Sequence, residues 1–93
     1  MTDEPSWRPE IDALVFPVEY HAALCAVHRL AFRTLLGSEP SPEDCLNFFV
    51  KFGYAFKNAA SFKIAQKGLQ PGLNFHLTSR DVARKLVERE SRK

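Results

Sequence analysis

A chain of 93 residues is long enough for one domain, and its composition, 45% hydrophobic and 26% charged, excludes an intrinsically disordered protein. The net charge of +2 is unevenly distributed, because residues 1–50 carry three basic and eight acidic side chains whereas residues 51–93 carry ten basic and three acidic ones. No stretch approaches the roughly 20 apolar residues that span a bilayer, and the polar start is unlike a secretory signal, so we expect a cytoplasmic protein with no membrane partner.

The first half of the chain predicts an arm followed by a β-hairpin. Residues 1–10 are polar and contain two prolines, which is typical of a flexible arm, and we expect a single domain over residues 11–90. Residues 13–16 form a short apolar run that Pro17 stops, and residues 20–27 form a second one. Residues 17–19 are the predicted turn. The turn has no Asn-Gly or Asp-Gly pair, and the alanine-rich composition of the second run also permits a helix.

Two helices are predicted next. Residues 28–37 have helical spacing and end at Gly37. Ser41 then provides an N-cap for a long helix, Pro42 suits its first position, and no further proline occurs before Gly68. One face of this helix carries the residues predicted for the core, namely Cys45, Phe48, Phe49, Phe52, Ala55, Phe56, Ala59 and Phe62. We expect one phenylalanine-rich helix over residues 41–68.

The last segment predicts a strand and a helix. Apolar and polar residues alternate over residues 73–77, as in a half-buried strand, and Thr78 to Asp81 resemble a helix cap. A basic amphipathic helix follows. The predicted fold is therefore α+β, with a small antiparallel three-stranded sheet, helices on one face and the element order β-β-α-α-β-α.

Three short motifs carry a family resemblance: VF at residues 15–16, CAVHRLAF at residues 25–32 and FHLTSRDV at residues 75–82. Across residues 13–83 they resemble the DUF1488 family, small proteobacterial proteins of unknown function. The sequence departs from that pattern at His28, where the family has a small capping residue, and in the hairpin turn, which lacks the expected glycine. The resemblance implies a fold and a bacterial origin, and it supplies no activity or catalytic residue.

The cysteines and histidines do not indicate a reaction. Cys25 and Cys45 are expected to be reduced and partly buried. The first helical turn could lower the pKa of Cys45, but this residue also begins the apolar face, which favours an inert thiol. A zinc site needs four converging ligands, and the spacing of Cys25, His21, His28 and His76 is not diagnostic of one. We therefore predict no catalytic residue, no metal and no cofactor.

A second apolar strip on the long helix is the most specific functional signal. It consists of Leu46, Val50, Gly53, Ala60 and Ile64. A small domain has limited surface with which to cover a helix on two sides, so the strip predicts a protein interface, either with an unknown protein or with a second copy of the chain. The alternative is that a neighbouring helix covers it.

The basic second half favours a different hypothesis, nucleic-acid binding. Its candidate surface comprises Lys51, Tyr54, Arg80, Arg84, Lys85 and Arg89. The lysines of the long helix point in several directions, and no helix-turn-helix or RNA-binding motif accompanies them. The sequence thus favours a non-enzymatic protein-interaction or regulatory module, for which a homodimer is one form, with nucleic-acid binding as the alternative.

Overall fold

The computed structural model describes residues 4–91, and their side chains as far as residue 87. Helices pack on a four-stranded mixed sheet, which confirms the α+β class. The elements are β1 (Ser6–Arg8), a 3-10 turn (Pro9–Ile11), β2 (Ala13–Val18), β3 (Ala23–His28), α1 (Arg29–Leu36), α2 (Pro42–Lys51), α3 (Gly53–Lys67), β4 (Phe75–Leu77) and α4 (Ser79–Ser91). The predicted three-stranded antiparallel sheet and its element order are wrong, for the reasons that follow.

The first correction concerns the hairpin turn. β2 and β3 pair antiparallel as predicted, but the turn occupies residues 19–22 instead of 17–19, and Pro17 remains inside β2 opposite Leu24. β1 pairs with residues 13–15 of β2 only, so β2 has a neighbour on just one side at Pro17. A missing N–H group is tolerated at such an edge position.

The second correction is the fourth strand. Ser6–Arg8 lies inside the segment predicted as a flexible arm, yet it pairs antiparallel with β2 and places Trp7 opposite Leu14. The Trp7 side chain is half-buried against the core. Pro5 and Pro9 flank the strand, and because proline cannot donate to a strand ladder they keep it short.

The third correction is the direction of β4. This strand pairs parallel with β3, with Cys25 beside Phe75 and Val27 beside Leu77, whereas the prediction made the whole sheet antiparallel. The chain leaves β3, passes through three helices and returns as β4. A long helical crossover of this kind can bring the chain back to the end at which β3 began, which is what parallel pairing requires.

The predicted long helix is two helices. α2 ends at Lys51, α3 begins at Gly53, and the backbone of Phe52 between them is not helical (φ −117°, ψ 33°). A straight helix over residues 42–67 would be about 39 Å long, whereas the six residues of β2 span only about 20 Å. The break allows both halves to pack on so short a sheet. The phenylalanine-rich core face survives it, since the Phe49 and Phe56 rings lie 5.0 Å apart.

The predicted helix ends are confirmed. Ser41 and Asp44 form a capping box at the start of α2, and Thr78 and Asp81 exchange the same pair of hydrogen bonds at the start of α4. His28 caps α1, because its Nδ1 atom accepts a hydrogen bond from the backbone N–H of Leu30. The left-handed glycines Gly37 and Gly68 end α1 and α3.

The core lies between the helices and one face of the sheet. Its buried members come from every strand except β1 and from all four helices: Leu14, Phe16, Cys25, Val27, Ala31, Phe32, Cys45, Phe49, Ala55, Phe56, Ala59, Ala60, Leu77 and Val82. Of the predicted core face, Phe48 and Phe52 are half-buried and Phe62 is exposed. The Phe62 ring lies beside α4, where Arg84 and Lys85 contact it.

The break between α2 and α3 gives a prediction for stability. Gly53 does not have a positive φ, and a Cβ atom added there would meet nothing within 4 Å. We therefore expect Gly53→Ala to raise the free energy of unfolding by about 0.5–1 kcal/mol, because alanine restricts the unfolded chain without straining the folded one. Gly68→Ala is the matched control, since Gly68 has a φ of 63°. Urea unfolding should show the two substitutions with opposite signs.

Candidate binding surface at the hairpin tip

The β2–β3 turn has an unusual backbone. Tyr20 and Ala22 both adopt the left-handed conformation, with φ values of 66° and 54°. That conformation costs a non-glycine residue roughly 1–2 kcal/mol. Tyr20 is also 97% exposed, so the folded chain gains no burial from its ring. This turn displays a large aromatic side chain at a cost to stability.

The tip is held in place by the loop that precedes β4. The backbone N–H of Gly72 donates to the carbonyl oxygen of His21 at 2.7 Å, and the N–H of Leu24 donates to Oδ1 of Asn74 at 2.9 Å. His21 itself is buried, and among the described residues its Nε2 atom has no hydrogen-bond partner. These two hydrogen bonds hold the backbone of the turn in place, and a preorganised backbone reduces the entropy loss on binding a partner.

A groove lies beside Tyr20, between the hairpin and α3. Residues 16–20 line one side, and Lys57, Ala60 and Ser61 line the other. Its volume is about 230 Å³, below the roughly 300–1,000 Å³ of pockets that hold drug-sized ligands and cofactors. A groove of this size suits one side chain of a partner better than a small-molecule substrate.

Opposite charges stand at the two sides of the groove. Glu19 lies on the hairpin and Lys57 on α3, and both side chains are exposed. Neither forms an ion pair with another residue in the described part of the chain. Arg29, by contrast, is occupied by Asp12 and Glu39, and Lys63 by Asp81. The groove therefore combines an apolar floor with an anion and a cation that are open to a partner.

The two thiols are not placed for nucleophilic chemistry. Burial raises the pKa of Cys25 to about 12 and that of Cys45 to about 11. For Cys45 the Asp44 carboxylate adds to the rise, so the expected effect of the helix start does not lower the pKa. Both cysteines are free and fully buried. Each is a protonated core thiol at neutral pH.

The three histidines considered above as possible metal ligands have separate roles. His21 supports the turn and His28 caps α1. His76 is exposed on β4, whereas Cys25 on the adjacent strand is buried. Within residues 4–87, no three Cys, His, Asp or Glu side chains come together in a way that could hold a metal ion.

The structure distributes the predicted apolar strip over both sides of the helix break. Val50 is 75% exposed on α2, and Leu46 beside it is half-buried against the core. Gly53 and Ile64 are half-buried, and Ala60 is fully buried where it forms part of the groove. A role for the strip in binding stays a prediction.

One part of the predicted nucleic-acid surface lies at the helix break. The Lys51 ammonium is 5.4 Å from the centre of the Phe52 ring, and the Phe52 ring makes an edge contact with Tyr54. Arg80 is exposed in the first turn of α4. The structure thus brings Lys51 and Tyr54 together around one aromatic ring.

Another part lies where α4 crosses α3. The Nζ atom of Lys85 is 4.2 Å, and the guanidinium of Arg84 5.9 Å, from the centre of the Phe62 ring. These cation–π contacts help to pack α4 on α3, and cations over a ring leave less of its face open for a base. The side chain of Arg89 lies outside the described residues.

No motif in the sequence marks Tyr20, Glu19, Lys57 and Ser61 as a site. The sequence predicts Tyr20 as the start of the second apolar run and Lys57 as one of the scattered lysines of the long helix, so it does not connect the two. The available signal was the missing glycine: a hairpin whose turn has neither glycine nor asparagine requires other residues to adopt a left-handed backbone.

Between residues 4 and 91, no helix combines the length and the apolar character needed to cross a membrane.

Comparison with known proteins does not assign the chain to a family. No family model matches the chain, and neither a curated protein nor a solved structure matches it.

Proposed function

We propose that the protein is a non-enzymatic protein-interaction module and that the tip of the β2–β3 hairpin, with the adjoining groove, is its binding surface. Tyr20 carries this proposal. A side chain that folding leaves 97% exposed, on a backbone that costs stability, gives no benefit to the folded chain alone. Tyrosine is also among the residues that most often dominate protein interfaces.

The groove supports the same proposal. Its size fits one partner side chain, and its paired charges, Glu19 and Lys57, would set the orientation of that partner. The raised pKa values of Cys25 and Cys45 argue against covalent catalysis by either thiol. Bacterial origin, a cytoplasmic location and kinship with the resembled family remain predictions from the sequence.

The proposal predicts that stability and binding respond in opposite directions to one substitution. Tyr20→Gly should raise the free energy of unfolding by about 0.5–1 kcal/mol, because glycine adopts the left-handed conformation without a Cβ clash. Ala22→Gly should raise it by a similar amount and is the matched control, since its side chain is not part of the groove. Urea unfolding measures both.

Binding is tested with a displayed library of random peptides selected on the immobilised chain. Selected peptides should bind Ala22→Gly as well as the original chain and bind Tyr20→Gly at least about tenfold more weakly, because loss of an aromatic anchor costs 2 kcal/mol or more. Equal affinity of the selected peptides for all three proteins would overturn the proposal.

A further inference from the structure

We propose that the partner of this surface is a second copy of the same chain, with Tyr20 of each copy inserted into the groove of the other about a two-fold axis. This inference rests on the proposed function, because it names the partner of the same site. The groove and the exposed ring that would fill it lie side by side on one molecule.

The chemistry of the groove matches a tyrosine side chain. Pro17 and Val18, both half-buried, provide apolar surface for the ring, and the Ser61 hydroxyl at the opposite side can exchange a hydrogen bond with a phenol. The volume of about 230 Å³ accommodates one aromatic ring, whereas it is small for a longer segment of chain. In the single chain the Tyr20 ring stays in solvent and leaves this space open.

The position of Tyr20 satisfies the geometric requirement of a closed dimer. In a two-fold interface one surface patch serves both copies, so the inserted side chain and the pocket that receives it must belong to the same patch. Tyr20 lies at the rim of the groove and meets this condition. A ring and a pocket on distant surfaces would instead build an open chain of copies.

The charges at the groove are complementary under the same symmetry. Glu19 precedes Tyr20 on the hairpin and would travel with it towards α3 of the other copy, where Lys57 stands. The two-fold axis makes this contact twice. Glu19 and Lys57 have no ion-pair partner among the described residues of their own chain, so both are available for it.

The contact area is confined to one hairpin tip and part of one helix, which places the dimer among small, weak interfaces. Sedimentation equilibrium from about 10 µM to about 1 mM covers the affinities expected of such an interface. The average mass of the original chain should rise from 10.6 kDa towards twice that value. Tyr20→Gly should remain monomeric over this range, and Ala22→Gly should associate like the original chain.

An exchange of charges identifies the contact itself. Glu19→Lys and Lys57→Glu should each weaken self-association by about tenfold, because each places like charges opposite one another twice. A mixture of the two variants should associate again. In the mixed dimer, both lysines of one copy face both glutamates of the other.

Two results would overturn the inference. One is a chain that stays monomeric up to about 1 mM. The other is a mixture that does not associate although the double variant, carrying both substitutions in one chain, does; Glu19 and Lys57 would then pair within a single copy. In either case, peptides that still depend on Tyr20 would leave the proposed function standing with a different protein as partner.

Discussion

Phe56→Ala is expected to lower the free energy of unfolding by about 3–5 kcal/mol. The Phe56 ring is fully buried in α3, and its centre lies within 5.0 to 6.0 Å of the ring centres of Phe32, Phe48 and Phe49. Truncation would leave a cavity among three rings that belong to two other helices. In a domain of this size the loss is a large share of the total stability.

Urea unfolding followed by circular dichroism measures this loss. Phe56→Leu keeps most of the volume and should lose about 1–2 kcal/mol, so it stays measurable if the alanine variant does not fold. Val50→Ala is the control on α2, because Val50 is 75% exposed and should change stability by less than about 0.5 kcal/mol. A loss at Val50 equal to that at Phe56 would contradict this description of the core.

Asp81→Ala is expected to lower the free energy of unfolding by about 2–3 kcal/mol. The Asp81 carboxylate accepts hydrogen bonds from the Thr78 backbone N–H at 2.9 Å and from Nζ of Lys63 at 3.0 Å. Lys63 also donates to the carbonyl oxygen of His76, so one ammonium ties α3 to both β4 and α4. Both side chains are mostly buried, and removal of the carboxylate leaves a poorly solvated cation without its partner.

Asp81→Asn removes the negative charge of the side chain but keeps an oxygen that can cap α4. The asparagine can still accept from Thr78, so its loss should be smaller than that of the alanine variant, about 1–2 kcal/mol. On α3, Lys63→Met should lose a similar amount. Lys67→Met is its matched control, because Lys67 is exposed at the end of the same helix and should change little.

The Asp81 interaction should also depend on pH. Burial alone would raise the pKa of Asp81, but the hydrogen bonds from Thr78 and Lys63 and the charge of Lys63 outweigh it and lower the pKa below its ordinary value. A carboxyl group whose pKa is lower when folded stabilises the fold above its unfolded pKa of about 3.9 and loses this effect as the pH falls through the folded value. The stability difference between the original chain and Asp81→Asn should therefore be constant from pH 7 to about 5 and shrink below about 4. A difference that grows on acidification would contradict the assignment.

Local signals in the sequence predicted the elements whose ends depend on local chemistry. The helix ends at Gly37, Ser41 and Gly68 lie where expected, and the Thr78–Asp81 cap starts α4. Such interactions involve residues at most four apart, and the residue types alone indicate them.

The features that the sequence did not predict depend on distant contacts. The break at Phe52 reflects the length of the sheet on which α2 and α3 pack. The strand β1 forms because it pairs with β2, where Trp7 lies opposite Leu14. The parallel pairing of β4 could have been expected, since a helical crossover separates it from β3.

The binding surface was missed for a related reason. Pro17 is a strong turn signal, but here it lies inside β2, beyond the last residue of β2 that pairs with β1. Propensity cannot predict that Tyr20 adopts a left-handed backbone, because that conformation is unfavourable for tyrosine. Only the folded chain brings Lys57 and Ser61 beside it.

Amide NMR spectra recorded at about 50 µM and about 1 mM test most directly whether the hairpin tip is where the chain binds. Concentration-dependent shifts should centre on residues 19–22 and on Lys57 and Ser61, and they should disappear in Tyr20→Gly. Shifts centred on Leu46 and Val50 of α2, and unchanged by Tyr20→Gly, would contradict binding at the hairpin tip.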